Sequence, residues 1–437
     1  MLKNQKGLSV TMNGTNSVTP TVPTARRDFG WLWAGQSLSL FGDQFMVLAF
    51  PLLAVLILHT SPAVAILLPF ALYVPFLVLG LPAGAIIERL RRRTTMIVCN
   101  ALQLLLFGLV WLLAYLDVLT FPALALLVVL NGCAVVFFQV AYTSYLPGLL
   151  TDVERLHVGN SRLALSESSS LTVGPMVAGP VIQGFGVITA VAANAVSFAV
   201  AVLTLTRIRY REPAPVKQPR AKGWMRRDIG TGLRFVTAHP ILQPVFACET
   251  VYVVFLSMIE TSLVLYCLHV LHLSPQWIGV VTGAAAAGYP VGNLGSVRLG
   301  RRLGAHRALM AAAVVSVTGI VLMPVMGTIG GRLGVLGLVV GSIVHCVGEG
   351  AYGPTSLTLR QTESPSSLLS RVGSVQRFLI WGAIAIGSLL ASGTTVLLGL
   401  SGAMWVGATG TVLCLPTLFR RGMRRAVVSG PVAGAAR

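Results

Sequence analysis

Charged side chains are scarce in this 437-residue chain: Asp, Glu, Lys and Arg make up 10% of it, against 55% hydrophobic residues. A soluble domain carries roughly 25% charged residues. The mean hydropathy of +0.80 shows how little polar surface the chain has to offer to water. The composition therefore excludes a soluble domain and predicts an integral membrane protein.

Among the charged residues the acidic ones are the fewer, with 13 Asp and Glu against 32 Lys and Arg, which gives a net charge of +19. A nucleic-acid-binding protein would gather such basic residues on a soluble face. Here they lie between apolar runs instead. We expect the partners to be the lipid bilayer and a small-molecule substrate, with no nucleic acid.

Motifs for bound metals, nucleotides and covalent catalysis are also missing. The six cysteines have no Cys-x-x-Cys spacing and resemble buried apolar side chains. The glycines of 283–288 are followed by Tyr289 and Pro290, so a phosphate-binding loop lacks its lysine. His269 and His272 have no third ligand nearby. We expect no metal, no cofactor and no enzymatic activity.

Apolar runs long enough to cross a membrane recur along the chain, since a spanning helix needs ~20 such residues. The predicted spans are 29–56, 63–87, 94–116, 122–145, 163–184, 187–206, 241–268, 276–298, 307–328, 333–357, 372–395 and 398–418. They divide the chain into a disordered tail (1–28), a six-helix bundle (29–206), a linker (207–240), a second six-helix bundle (241–419) and a basic tail (420–437). The predicted fold is all-α with twelve transmembrane helices.

The basic residues test this number of spans independently. With twelve spans, 31 of the 32 Lys and Arg fall on one side of the membrane and only Arg332 falls on the other. Basic residues concentrate in cytoplasmic loops. We therefore expect a multi-pass protein of the inner or plasma membrane with both termini in the cytoplasm.

An internal repeat indicates that the two bundles are related. Pro82-Ala83-Gly84 matches Pro290-Val291-Gly292, each before a basic loop, at an offset of 208. The segment 158–162 resembles 372–377 at an offset of 214. Two nearly equal offsets predict two pseudo-symmetric halves around a cavity at the membrane midplane, where access alternates as the halves rock.

The loop after the second span carries the clearest motif. Residues 84–93 read Gly-Ala-Ile-Ile-Glu-Arg-Leu-Arg-Arg-Arg, which resembles the Gly-x-x-x-Asp-Arg-x-Gly-Arg-Arg motif of the major facilitator superfamily. The matching residues are Gly84, Arg89, Arg92 and Arg93, with Glu88 in place of aspartate. The resemblance implies a gating loop whose acid caps a helix of the other half. The alternative is a basic anchor on the cytoplasmic side.

A second motif lies in the fifth span. Gly174, Pro175 and Gly179 belong to Gly-Pro-Met-Val-Ala-Gly-Pro, which is similar to the bend motif of drug–proton antiporters in that superfamily. Residues 31–43 and 360–373 resemble the subgroup with macrolide-efflux and enterobactin-exporter proteins. The resemblance implies export, although such pairs also serve helix packing alone.

Ionisable residues inside spans mark functional sites by default. Five acids qualify: Asp43, Glu167, Glu249, Glu260 and Glu349. The resemblance implies that the first, fourth, seventh and tenth spans line the cavity, which favours all but Glu167, whose position near a helix start favours a structural role.

Spacing brings some of these groups together. Glu249 and Glu260 are eleven residues apart, about three helical turns, so they share one face of the seventh span. His345 and Glu349 are four apart and adjacent on the tenth. Such a pair is suited to hold or release a proton near neutral pH. We predict that these four residues and Asp43 couple protons and bind a cationic or polar part of the substrate.

Three functions remain open from the sequence. The first is proton-coupled efflux of a hydrophobic or amphipathic small molecule, such as an antibiotic, siderophore or xenobiotic, by a monomer driven by the proton gradient. The second is import or symport on the same fold. The third is a receptor or scaffold without transport, which has no need for costly acids inside spans.

Overall fold

Helices form nearly all of the described chain. The computed structural model describes residues 22–150, 152–210, 212, 224–365 and 368–419, and no β-strand occurs among them. The first half comprises α1 (Val22–Leu52), α2 (Pro62–Ala65), α3 (Leu67–Ile87), α4 (Arg92–Tyr115), α5 (Phe121–Leu149), α6 (Val153–Phe185) and α7 (Val187–Arg207). A π-helical turn, Leu53–Ile57, continues α1 after Pro51, whose missing N–H removes a backbone hydrogen bond.

The second half follows a connecting helix, α8 (Trp224–Ala238). It comprises α9 (Leu242–His269), α10 (Pro275–Ala286), α11 (Gly288–Leu303), α12 (Ala305–Ile329), α13 (Gly331–Glu363), α14 (Leu369–Val412) and α15 (Leu415–Leu418). α8 packs on α14, where Val236 lies in an apolar cluster with Phe246 and Val375. Its apolar side therefore belongs to the second half.

The predicted twelve crossings are confirmed. Nine described helical stretches are long and apolar enough to span a membrane. α6 is absent from that set because its first half is polar, and α10 and α11 are each too short to qualify. α14 is counted once, although Gly399 (φ 72°) breaks it into two segments. Adding α6, joining α10 to α11 and dividing α14 at Gly399 gives twelve.

Two predicted boundaries need correction. α1 begins at Val22, so residues 22–28 are helical although the sequence predicted disorder for 1–28. Asp28 explains part of this order, because its carboxylate accepts hydrogen bonds from the backbone N–H groups of Arg209 and Tyr210 at 3.1 and 2.8 Å. The linker 207–240 contains α8. Residues 1–21 and 420–437, predicted as tails, lie outside the described residues.

The two halves repeat one packing scheme. In the first half α1 packs on α6 and α7, and in the second α9 packs on α14. Ser37 on α1 donates a hydrogen bond to Ser166 on α6 at 2.8 Å. At the corresponding place in the second half, Gln376 on α14 donates to Glu249 on α9, also at 2.8 Å.

Among the described residues, the halves meet at one end of the bundle and at mid-depth, where α3 packs on α14. We call the end with the loops 88–91 and 303–305 and α8 the basic end, and the opposite end the far end. One apolar cluster at the far end joins both halves, with Leu53 and Ile182 from one and Ile278 and Met404 from the other. A second cluster joins α3 to Trp381 on α14 at mid-depth, and the remaining clusters of described residues, nearer the basic end, each stay within one half.

Glycines bring the halves together at the far end, where α6 crosses α10. A Cβ atom added at Gly279 would lie 2.3 Å from the Pro175 carbonyl oxygen, and one at Gly179 would lie 2.6 Å from the Pro275 carbonyl oxygen. Beside them Ser392 donates a hydrogen bond to the Ala63 carbonyl oxygen, joining α14 to α2 at 2.7 Å. The structure is therefore closed at the far end and open at the basic end.

Candidate functional site

Two acids from different halves face the gap between them. Asp43 on α1 and Glu260 on α9 are both exposed although they lie deep in their helices. The Tyr73 hydroxyl on α3 is within electrostatic range of both carboxylates. Asn194 on α7, which is fully buried, lies next to Asp43. The two carboxylates therefore belong to one polar region between the halves.

Aromatic rings form one wall of this region. Phe76 on α3 stacks on Trp381 on α14, with 4.3 Å between ring centroids and 6° between ring planes. Tyr73 packs on the same Trp381 ring at 5.4 Å. Because α3 and α14 belong to different halves, these rings hold the halves together beside the acids.

The third acid belongs to a hydrogen-bonded network inside the second half. His345 on α13 is buried, and its Nε2 lies 3.3 Å from Glu349 Oε2. Its Nδ1 lies 2.9 Å from Ser316 Oγ on α12 and 3.1 Å from the Tyr252 hydroxyl on α9. These two hydroxyls are 2.6 Å apart. Both ring nitrogens therefore face oxygen atoms, as an ionisable imidazole in an apolar interior requires.

A fourth helix and the second acid connect this network to the gap. The Tyr289 hydroxyl on α11 donates to Glu349 Oε2 at 2.8 Å. The Glu349 side chain is 31% exposed, whereas that of His345 is 5% exposed. The Glu260 carboxylate on α9 lies within electrostatic range of Glu349. Glu349 therefore lies between a buried histidine and the polar region in the gap.

Glu249 lies apart from the other predicted site residues. Ser356 on α13 donates a hydrogen bond to its Oε1, and Gln376 on α14 donates to its Oε2 at 2.8 Å. Arg360 acts on the same carboxylate. Glu249 thus joins three helices at the basic end, although the three-turn spacing from Glu260 placed both on one face.

The basic loop contacts its own half in this structure. Arg92 donates to the Ser144 carbonyl oxygen at 3.0 Å and lies 3.8 Å from the Glu212 carboxylate. Arg93 donates to the Leu205 and Thr206 carbonyl oxygens at 3.0 and 2.8 Å. Both arginines therefore fasten α4 to the ends of α5 and α7.

The rest of the predicted gating loop is exposed. This applies to Glu88 and Arg89, and a Cβ atom added at Gly84 would have no neighbour within 4 Å. The backbone at Gly84 therefore has open space beside it in this structure. The predicted contact of this loop with the other half stays a prediction for the opposite conformation.

The Gly-Pro motif lies at the closed crossing of the far end. Pro175 and Gly179 contact α10, as described above, and a Cβ atom at Gly174 would lie 2.5 Å from Gln44 Cβ on α1. The motif therefore places α6 against both halves at once. Its small residues allow backbones to approach closely where lipid provides no hydrophobic drive for helix association.

Sequence reasoning missed the hydroxyl partners of the acids and histidine. Ser316 and Tyr289 are on α12 and α11, and nothing in the local sequence distinguishes them from serines and tyrosines that bond within their own helix. Ser356 and Gln376 were missed for the same reason. The partner that a hydroxyl faces depends on how helices cross, so only tertiary structure identifies it.

Among the described residues, no group of three or more His, Cys, Asp and Glu side chains is arranged to hold a metal ion. The carboxylates of the gap come from separate helices and face hydroxyl and aromatic groups. The arrangement is suited to exchanging protons and to contacting a polar or cationic group.

The family model of the Major Facilitator Superfamily matches residues 32–388. The multidrug efflux pump Tap of Mycolicibacterium fortuitum is 26% identical over 387 residues, which cover 86% of this chain and 90% of that protein. Tap of Mycobacterium tuberculosis (strain ATCC 25618 / H37Rv) is 28% identical over 391 residues, covering 86% and 87%. A bacterial homologue of the iron transporter ferroportin, solved in an inward-facing state, superposes with a TM-score of 0.70 at 19% identity, covering 90% of this chain and 98% of that one. The chain is therefore a multi-pass membrane protein that belongs to the Major Facilitator Superfamily of transporters.

Proposed function

We propose that this transporter exports a hydrophobic or amphipathic small molecule with a cationic group, in exchange for protons, by alternating access. The observation that carries the proposal is the set of carboxylates between the halves, Asp43, Glu260 and Glu349, the last of them bonded to a buried histidine. A carboxylate inside a membrane-spanning helix is energetically costly, so its presence there marks a functional site. The relation to multidrug efflux pumps supports the outward direction.

The distribution of charge supports the orientation in the membrane. Cytoplasmic loops are rich in Lys and Arg, so the basic end faces the cytoplasm and the protein is placed in the plasma membrane. The observed opening is then towards the cytoplasm, where an exporter collects its substrate. The aromatic wall of Tyr73, Phe76 and Trp381 is suited to the apolar and cationic parts of such a molecule.

Import on the same fold is the second candidate, since a gap with exchangeable protons serves symport equally well. The specific observation favouring export is the Gly-Pro motif, whose residues Pro175 and Gly179 form the closed crossing of the far end. In the resembled antiporters this motif accompanies exchange of drug for proton.

The accumulation of test compounds distinguishes these functions. A pump-deficient bacterium expressing the chain is expected to accumulate less of one class of cationic, apolar compound than the empty-vector strain. A protonophore should abolish the difference, because efflux against a gradient needs the proton gradient. A Glu349→Gln strain controls for expression. Raised accumulation would indicate import, and no change in any drug or siderophore of the panel would contradict drug efflux.

Alternating access requires the basic end to close, and the observed crossing indicates how. Thr172 and Pro175 of α6 face Gly283 and Gly279 of α10. α6 and α10 run antiparallel at this crossing, and α11 continues α10 towards the basic end. If the same alignment is extended in that direction, Val158 on the same face of α6 lies opposite a residue of α11. That residue is Val297.

Val158 is 47% exposed, and its counterpart Val297 on α11 is 58% exposed. Glu154 and Arg301, one turn further, are exposed too and carry opposite charges. Exposed apolar residues at the basic-end opening become more stable if they are buried when that opening closes. The closed basic end thus pairs α6 with α11 along these residues.

A cross-linking experiment tests this pairing. In a background without native cysteines, Val158→Cys with Val297→Cys is expected to form a disulfide during turnover and to stop transport. The Ala63→Cys and Ser392→Cys pair at the far end should cross-link in the opposite conformation. A pair at Val158 and Leu336, which is exposed on α13 at a different end of the bundle, serves as the negative control. Failure of the Val158 pair to cross-link while the far-end pair does so would contradict the alignment.

A further inference from the structure

The environment of His345 satisfies two protonation states of its ring. In the neutral ring, Nε2–H donates to Glu349 Oε2 and Nδ1 accepts a hydrogen bond from Ser316, at the 3.3 and 2.9 Å distances given above. In the doubly protonated ring, Nε2–H still donates to the carboxylate and Nδ1–H donates to Ser316 Oγ. A hydroxyl group serves both states because it is donor and acceptor at once.

The Tyr252 hydroxyl allows the hydrogen bond between Ser316 and His345 to change direction. When Ser316 donates to Nδ1, its oxygen accepts from the Tyr252 hydroxyl 2.6 Å away. When Ser316 accepts from Nδ1–H, its own hydrogen turns to the Tyr252 oxygen. The two states differ by one proton, and in each of them both ring nitrogens and both hydroxyl oxygens keep a hydrogen-bond partner, while in the doubly protonated state the Tyr252 hydrogen points out of the triangle.

We propose that the His345–Glu349 pair binds and releases one coupling proton, and that Ser316 is a positioning residue that holds the imidazole in both protonation states. This inference rests on the proposed proton-coupled transport and assigns the proton to one site within it. Asp43 and Glu260, which are exposed to the gap, are left for the cationic group of the substrate.

Few other charged groups face this site. From α9 come Tyr252 and Glu260, from α11 Tyr289, and α13 itself adds Cys346. α10 carries no ionisable residue. The ionisable residues of α12 and α14 lie near their basic-end starts, at His306, Arg307, Arg371 and Arg377. The nearest charge besides Glu349 is thus the Glu260 carboxylate.

The proton itself is the probe in the decisive experiment, so no substrate is needed. The full chain, labelled with ¹⁵N in the rings of its seven histidines, is placed in lipid bilayers, and its ring signals are followed against pH by solid-state NMR. Loss of one signal in His345→Gln identifies His345. We expect this ring to change from one to two N–H groups between about pH 5 and pH 8.

Variants separate positioning from a structural role. Ser316→Ala removes the partner of Nδ1 in both states, but a hydrogen bond to the charged ring is worth about 1 kcal/mol more than one to the neutral ring, so the His345 midpoint should fall by roughly 0.7 pH unit. Ser316→Thr keeps the hydroxyl and should restore the midpoint. Ser342→Ala is the matched control, because this buried serine one turn away donates to the Leu338 carbonyl oxygen of its own helix. The control should leave the midpoint unchanged.

The outcomes are distinguishable from failure of the transport proposal. A His345 ring that stays singly protonated throughout, or a midpoint that Ser316→Ala leaves unmoved, would overturn this inference even if proton-driven efflux is observed. A titrating His345 with the expected shifts supports the proton site even if the accumulation panel finds no exported compound. Folded protein is selected by size-exclusion chromatography, so a variant that unfolds is recognised by its absence there.

Discussion

Replacing Gly279 with alanine is expected to shift the transporter from the observed conformation to one that is open at the far end. The added Cβ would lie 2.3 Å from the Pro175 carbonyl oxygen and 3.0 Å from Gly179 Cα, both in the other half. A backbone carbonyl oxygen cannot move aside as the end of a flexible side chain can. Because the clash lies between the halves, their separation at this end relieves it without disturbing either bundle.

The expected size of the effect is large. Overpacking costs typically 1–3 kcal/mol, and this cost falls on the far-end-closed state alone. Such a difference changes a two-state equilibrium by a factor of about 5–150. The closed far end should therefore become a minor population, and transport should slow because one of the two states is hard to reach.

Spin labels measure this change directly. Phe185 at the end of α6 and Leu397 in α14 are both exposed at the far end and belong to different halves. Labels attached to cysteines at these positions should give a longer distance distribution in Gly279→Ala than in the parent protein. A distribution equal to that of the parent would show that the clash is absorbed locally and would contradict the prediction.

Two glycine controls give the comparison its meaning. A Cβ atom at Gly292 would lie 2.1 Å from the Val347 carbonyl oxygen, but both residues belong to the second half. Gly292→Ala should therefore lower the melting temperature without changing the spin-label distance. Gly184→Ala, where the Cβ has no neighbour within 4 Å, should change neither. Only a clash between the halves is expected to move the equilibrium.

The fold was predictable because membranes impose simple rules on sequence. Spanning helices need long apolar runs and loops need charge of one sign, so span number and sidedness are encoded locally. The exceptions follow from the same rules. α6 (Val153–Phe185) has a polar first half that includes 166–170, so it is absent from the stretches that qualify by length and hydropathy. The sequence nevertheless predicted a span at 163–184, and the alternation of basic loops agrees with it.

The site was predictable only in part. Acids inside spans stand out in sequence, and the four-residue spacing of His345 and Glu349 correctly placed them together, 3.3 Å apart. Glu249 shows the limit, because helical spacing fixes the face of a residue but not the neighbour of that face. Near the start of α9 this face contacts Ser356 and Gln376 through Glu249. Three turns further along the helix, at Glu260, the same face lies beside the gap between the halves.

Replacing Glu349 with glutamine is expected to abolish the ability of the transporter to build a substrate gradient from a pH gradient. One pH unit corresponds to about 1.4 kcal/mol per proton, so exchange of one proton for one substrate sustains a gradient of about tenfold. Glutamine keeps the shape and accepts the Tyr289 hydrogen bond, but it lacks the negative charge that pairs with the doubly protonated His345 ring. The gradient should fall to unity, while exchange of labelled for unlabelled substrate across the membrane continues.

The same substitution at the other acids is expected to have different results, measured in proteoliposomes with the compound that the accumulation panel identifies. Asp43→Asn and Glu260→Gln should weaken substrate binding and so reduce both the gradient and the exchange. Glu249→Gln is the control on the same helix as Glu260, because Glu249 is bonded to Ser356 and Gln376 outside the gap. It should keep the tenfold gradient per folded molecule. If Glu349→Gln also keeps that gradient, the coupling proton is carried elsewhere, whereas loss of exchange in this variant would place Glu349 among the substrate contacts instead.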